Sequence, residues 1–193
     1  MRLCDQEIKN WLKEKKLIIN PSPDESSITG VTVDIRLGNR FRKFNNKKGS
    51  FIDLSAKKKD IALEIKKNIS HEILVKNEDV FIISPKEFIL ATTLENFSIP
   101  DNLVGWLDGR SSLARLGLMI HATSHRVDPG WKGNIVLECF NSGNIKLALR
   151  PGMFIAALSF EILSQSVLYP YSSKNRAKYY RQNNIILSRI DQD

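Results

Sequence analysis

Cysteine is almost missing from these 193 residues: only Cys4 and Cys139 are present. Two cysteines so far apart exclude a disulfide framework and any Cys-x-x-Cys metal site. Histidine is nearly as scarce, and His71, His121 and His125 follow no metal-ligand spacing, so each is expected to be a surface or satisfied core residue. No apolar run approaches the length of a bilayer span. Asp5 and Glu7 stand where a secretory signal would carry its apolar stretch, so the expected location is cytoplasmic, with no membrane partner. There is no internal repeat, low-complexity tract or convincing linker. One domain over residues 1–193 is expected, and the polar end, residues 164–193, reads as a C-terminal arm or lid.

The composition is 42% hydrophobic, enough to bury a real core. The net charge of +8 invites a nucleic-acid reading. However, the lysines fall in scattered runs, Lys13 to Lys16, Lys47-Lys48 and Lys57 to Lys59, without the interleaved aromatics of a single-strand platform. They are read as solvated surface lysines, and no nucleic-acid partner is expected. A basic field still attracts a small polyanion.

Asp5 is placed to cap a helix whose Ile8, Trp11 and Leu12 form one apolar stripe, with Trp11 assigned to core or subunit contact. Val31 to Leu37 alternates as a half-buried strand, after which Gly38-Asn39 is expected to turn the chain. Ile61, Ile65 and Ile69 recur every four residues and suggest an inserted helix over Lys58 to Asn68. Short strands are expected at Glu72 to Val75, Val80 to Ile83, Phe88 to Thr93, Leu103 to Leu107, Leu118 to Ala122, Ile135 to Phe140, Ile145 to Leu149 and Phe154 to Phe160. The pattern defines a mainly β chain, an antiparallel barrel or sandwich with a few short helices.

Potential chemistry concentrates between Gly105 and Phe140. Leu107 to Arg115 reads as a strand end, a turn at Gly109 and a short helical turn opened by a serine cap. Free N–H groups at such a start, helped by Arg110, suit a phosphate; Ser111 and Arg115, four apart, share a face. The alternative is an ordinary capped helix with a surface arginine. Further on, the strand alternation sends Ile135, Leu137 and Cys139 to one face and leaves Glu138 on the other between Val136 and Phe140. Apolar neighbours are expected to desolvate this carboxylate and move its pKa towards neutrality, as proton shuttling requires. A structural pairing with Arg115 or Arg126 is the other reading.

The runs Gly109-Arg110-Ser111-Ser112-Leu113-Ala114-Arg115, His125 to Trp131 and Val136-Leu137-Glu138 resemble dCTP deaminases of the metal-independent type. Met1 to Asp5, Ala177-Lys178-Tyr179 and Ser188 to Asp191 extend the resemblance over essentially the whole chain. It implies a distorted antiparallel β barrel of the dUTPase-like type and hydrolysis of the cytosine C4–N bond of dCTP, giving ammonia and dUTP for thymidylate synthesis. The implied catalytic residues are Glu138 as base and acid, Ser111, which with a carbonyl near Ser124 holds the water, and Arg115, which fixes the glutamate. The implied substrate-binding set is Arg110, Ser111, Ser112, Leu113, Ala114 and Arg115 around the phosphate turn; Ser124; Arg126, which contacts substrate or else supports Glu138; Asp128 at the sugar; and Val136, Leu137 and Glu138 at the base. Tyr171, Lys178 and Gln182 close over the triphosphate; Lys178 and Gln182 have helical spacing. Ser124 stands where the family often has alanine, and a main-chain carbonyl serves with either residue.

The resemblance also implies a homotrimer with shared active sites, magnesium carried by the nucleotide phosphates, feedback by dTTP, and no protein metal ligands. Zinc nucleobase deaminases need a His-x-Glu and a later Cys-x-x-Cys, and neither occurs here. A dUTPase has a similar Arg-Ser-x-Leu turn, but typical ones carry a glycine-rich C-terminal motif, and no glycine follows Gly152. A bifunctional enzyme that also removes pyrophosphate, and a silent nucleotide-binding protein, remain as alternatives.

Overall fold

Alternating apolar and polar residues give long strands here. The computed structural model describes residues 1–45, 51–173 and 177–192. Among them, in chain order, are α1 (Asp5–Lys13), β1 (Ile18–Asn20), β2 (Ile28–Thr29), β3 (Thr32–Lys43), α2 (Lys58–Asn68), β4 (Ile73–Leu74), β5 (Phe81–Ile83), β6 (Phe88–Ser98), β7 (Leu103–Gly109), α3 (Ser111–Ala114), β8 (Leu118–Met119), β9 (Arg126–Val127), β10 (Lys132–Asn141), β11 (Leu147–Leu149) and β12 (Phe154–Ile162). The fold is mainly β, with few and short helices. Every strand expected from the sequence is present, with shifted ends, and α2 has the expected bounds. The strands β1, β2 and β9 were not anticipated.

Antiparallel pairing sets the order β8-β10-β6-β3-β12-β7-β9, with β1 on β6 and β2 and β4 on β3; β5 and β11 pair separately. The sheet curls into a half-barrel around a core that includes Phe41, Phe97 and Phe160, each 0% exposed. Phe41 stacks on Phe81 with ring centres 4.2 Å apart. Removing such a buried ring costs about 3–5 kcal/mol. The two ends of the sheet, β8 and β9, are joined by residues 120–125. Within that link the Ile120 carbonyl accepts from Glu138 N–H at 3.1 Å, and the His125 carbonyl accepts from Leu107 N–H at 2.8 Å. One short segment therefore bridges the open side of the half-barrel.

Three sequence expectations need correction. Gly38-Asn39 does not turn the chain, because both residues lie inside β3. They form an irregularity against β6, where pairing jumps from Leu37–Thr93 to Phe41–Ala91. A Cβ on Gly38 would lie 2.6 Å from Thr92 Oγ1 and 2.9 Å from two backbone oxygens, so glycine is required by close strand approach. The α1 cap is Cys4 and not Asp5: Asp5 already lies in the first turn, and Glu7 reaches back to Cys4 N–H at 2.9 Å. Ile8 is buried as expected, and Trp11 and Leu12 pack on the core. In the same way, α3 is capped by Arg110, without a side-chain capping bond, and not by a serine.

A second, smaller cluster is built from Ile61, Ile65 and Ile69, with Ile52, Ala56 and Leu187 against it. It joins α2 to the C-terminal segment, separately from the main core.

Candidate active site

Strand β10 faces two ways. Ile135, Leu137 and Cys139 are 7%, 0% and 0% exposed and enter the main core, while Val136, Glu138 and Phe140 are half-buried on the other face. Across the ladder Glu138 sits opposite Leu90, and Phe140 opposite Phe88. Burial, followed by the neighbouring Glu138 charge, pushes the Cys139 thiol up to about 12, so this sulfur is a packing group.

The outer face of β6 and β10 forms one wall of a cavity of about 470 Å³. Leu90, Val136, Glu138, Ser124, Arg126 and Gln182 line it, together with Ile65, Ile69, Ile186 and Ile190. Glu138 accepts from Ala122 N–H at 3.0 Å. Among the described residues neither Arg115 nor Arg126 pairs with it; Arg126 Nε bonds Asp128 at 2.8 Å.

The edge of β10 above this cavity is covered unevenly. Phe140 pairs with Met119 of β8, and Glu138 N–H is taken by Ile120. At the other end Asn134 N–H donates to the Gln182 carbonyl at 2.9 Å. Alternation in an antiparallel ladder points the Val136 N–H and C=O to this same side, and among the described residues nothing caps them. An open donor and acceptor therefore lie two residues from a half-buried carboxylate.

The remaining site residues fall in two groups. Arg110, Ser111, Ser112, Leu113, Ala114 and Arg115 form the turn of α3, outside the cavity lining. Arg110 reaches Asp34 at 3.1 Å and covers the Phe154 ring at 5.3 Å. Leu113 packs on the core, and Ser111, Ser112, Ala114 and Arg115 are exposed. The Leu113 and Ala114 N–H groups turn back to the Arg110 carbonyl, both at 3.0 Å, and those of Ser111 and Ser112 have no partner within the turn. Leu137 turns its side chain into the core, so only its backbone borders the site.

The second group is in the C-terminal segment. Tyr171 packs tilted against Trp131, ring centres 5.2 Å apart, and its hydroxyl accepts from Tyr179 N–H at 3.0 Å; burial raises its pKa. Lys178 and Gln182 do not share a helical face: residues 178–181 form turns, and Gln182 makes a parallel bridge to Gly133. The φ of Gly133 is +129°, and a Cβ there would meet Gln182 O at 2.7 Å, so glycine is required for the close approach of the C-terminal segment to the strand. Gln182 is 5% exposed. Its Nε2 donates to the Asn134 carbonyl at 3.2 Å, while its Oε1 is buried without a hydrogen-bond partner.

Three contacts had no sequence signal: the Ala122 N–H partner of Glu138, and the His121–His125 and Trp106–His125 ring pairs, each at 5.4 Å. They arise because residues 120–125 bridge strands far apart in sequence.

A curled antiparallel sheet of this form is found in the crystal structure of dCTP deaminase from Agrobacterium tumefaciens, with a TM-score of 0.63 and 16% identity over 83% of this chain. The present chain spans about half (48%) of that one, and the likeness concerns the fold. The family model for dCTP deaminase-like proteins matches residues 2–163. Two dCTP deaminases of Buchnera aphidicola are 56% identical over 193 residues, all of both chains, and 57% identical over 190 residues, 98% of each. One from Tolumonas auensis is 54% identical over the full length of both. The chain belongs to the dCTP deaminase-like family.

Proposed function

We propose that this protein hydrolyses dCTP to dUTP and ammonia, with the base read at the Val136 edge and Glu138 carrying the protons. The observation that supports this most directly is the half-buried Glu138 carboxylate beside an uncapped main-chain N–H and C=O. Cytosine offers acceptors and a donor along one edge, a match for such a strand edge. Full-length identity above half to dCTP deaminases supports the same substrate.

In this reading Glu138 takes a proton from a water held by Ser111 and the Ser124 carbonyl. The resulting hydroxide adds to C4 and N3 gains that proton from Glu138; Glu138 then takes the proton of the new C4 hydroxyl and passes it to the exocyclic nitrogen, which leaves as ammonia as the C4–N bond breaks. The oxygen remains as the C4 carbonyl of dUTP. General acid–base transfer of this kind contributes about 10²–10⁴ in rate, and positioning the water adds to it. Arg115 balances charge at the glutamate, Asp128 meets the sugar, with Arg126 beside it, and the α3 turn holds the phosphates. Tyr171, Lys178 and the open Oε1 of Gln182 serve the closing arm, residues 164–193 of a single domain 1–193.

The α3 turn lies outside the cavity that holds Glu138, which supports a homotrimer whose subunits complete each other's sites. Among the described residues no three His, Cys, Asp or Glu side chains gather to hold a metal. Magnesium, when bound, would be carried by the nucleotide's phosphate oxygens and would neutralise their charge, and the proton transfers belong to Glu138. The dTTP triphosphate fits the same cradle and serves as a feedback inhibitor in this reading.

Incubating metal-stripped protein with dCTP and magnesium, then separating nucleotides, is the direct test. The expected products are dUTP and equimolar ammonia. Accumulation of dUMP and pyrophosphate would indicate the combined activity, and unchanged dCTP would overturn the assignment.

A further inference from the structure

Two residues before the open Val136 edge, three asparagines from three elements meet. Asn134 of β10 donates its side-chain Nδ2 to the carbonyls of Thr93 and Glu95, at 3.0 and 2.9 Å. These carbonyls belong to the place where β6 has three residues, Thr93 to Glu95, opposite Ile135 alone; pairing jumps there from Asn134–Asn96 to Val136–Thr92. The buried Thr93 hydroxyl fills the gap by accepting from Ile135 N–H at 3.0 Å and donating to the Glu95 carbonyl at 2.8 Å. The irregularity is thus fixed by side chains, and it sets the register of Val136 to Glu138.

Asn96 of β6 extends this lock outwards. Its Nδ2 donates to Asn134 Oδ1 at 3.4 Å and to Asn183 Oδ1 of the arm at 3.0 Å. Asn183 follows Gln182, which is bonded in both directions to the Asn134 backbone. We propose that Asn96 and Asn183 are positioning residues: a side-chain clip that seats the arm at Gln182 against the base-reading edge of β10 and thereby sets substrate affinity. This rests on the reading of the site as a dCTP pocket. The clip touches neither Glu138 nor the α3 turn, so it acts on how often the arm is closed and not on the proton transfers.

The test uses the full chain with Asn96→Ala, Asn183→Ala and the double variant, with Asn183→Asp as the conservative replacement that keeps an acceptor for Asn96. Asn183 is exposed and Asn96 half-buried within β6, so circular dichroism with thermal melting verifies the fold of each variant. We expect KM for dCTP to rise about three- to tenfold, a loss in keeping with one or two hydrogen bonds, while kcat and its pH profile stay within twofold. Asn183→Asp should restore KM, and the double variant should be no worse than the singles, the signature of one shared interaction. Unchanged KM in both alanine variants, or a fall in kcat at constant KM, would overturn the clip. Failure of the wild-type chain to deaminate dCTP would instead overturn the reading on which it rests.

Discussion

At the scale of single residues the decisive feature is a carboxylate set on the less buried face of a strand whose other face is core. The proposed chemistry requires Glu138 to accept and return a proton, whereas holding the nucleotide does not. Glu138→Gln keeps the shape and the acceptor for Ala122 N–H but cannot shuttle protons. We expect ammonia release to fall at least about 10³-fold, with dCTP affinity, measured calorimetrically, within a few-fold of wild type. Turnover that survives the change would remove Glu138 from its role. The face on which this residue lies was legible in the sequence, because period-two alternation in Ile135 to Phe140 is a local property. Its actual partner was not: Ala122 is sixteen residues away, and only closure of the half-barrel brings them together. Within one chain, among the described residues, Glu138 pairs with neither Arg115 nor Arg126, and Asp128, two residues along, holds Arg126.

Elements were predictable where a pattern is local and poorly predictable where distant strands dictate the backbone. The fourfold spacing of Ile61, Ile65 and Ile69 gave α2 its correct bounds. In contrast, Gly38-Asn39 carries the composition of a turn and yet crosses the sheet, because the requirement for glycine comes from Thr92 and Thr93 on β6. The tight link between β5 and β6 offers a measurable case of local electrostatics. Burial pushes the Glu87 carboxyl up, but Lys43 at 2.8 Å and Ser84 N–H at 2.7 Å prevail and hold it below its ordinary 4.5. A carboxyl depressed in the fold contributes stability above its unfolded pKa and loses it as pH falls through the folded value. Glu87→Gln should therefore cost on the order of 1 kcal/mol at neutral pH, measured by urea unfolding. The gap should close as the pH is brought well below 4.5. A gap that persists at low pH would place the effect in packing.

For the whole molecule, the separation of the α3 turn from the cavity carries the assembly argument. If subunits complete one another's sites, Glu138→Gln and Ser111→Ala chains, each nearly inactive alone, should regain activity when mixed and allowed to exchange. Activity that stays at the level of the separate variants would place each site within one chain. The sheet class could be read from the many short strands, and motif resemblance supplied the expected site residues. The split between turn and cavity could not be read, because it depends on where the curled sheet leaves its edges. A last consequence comes from the cluster of Ile61, Ile65 and Ile69, which shares Leu187 with the tail and stands apart from the main core. A small, independent patch of this kind opens at lower free energy than the sheet beneath it. Amide hydrogens of α2 and of residues 185–190 should exchange together and sooner than those of β6 and β10, and Ile65→Ala should quicken both sets while sparing the strands. Entry and exit of nucleotide would then be timed by a helix that carries none of the proposed chemistry.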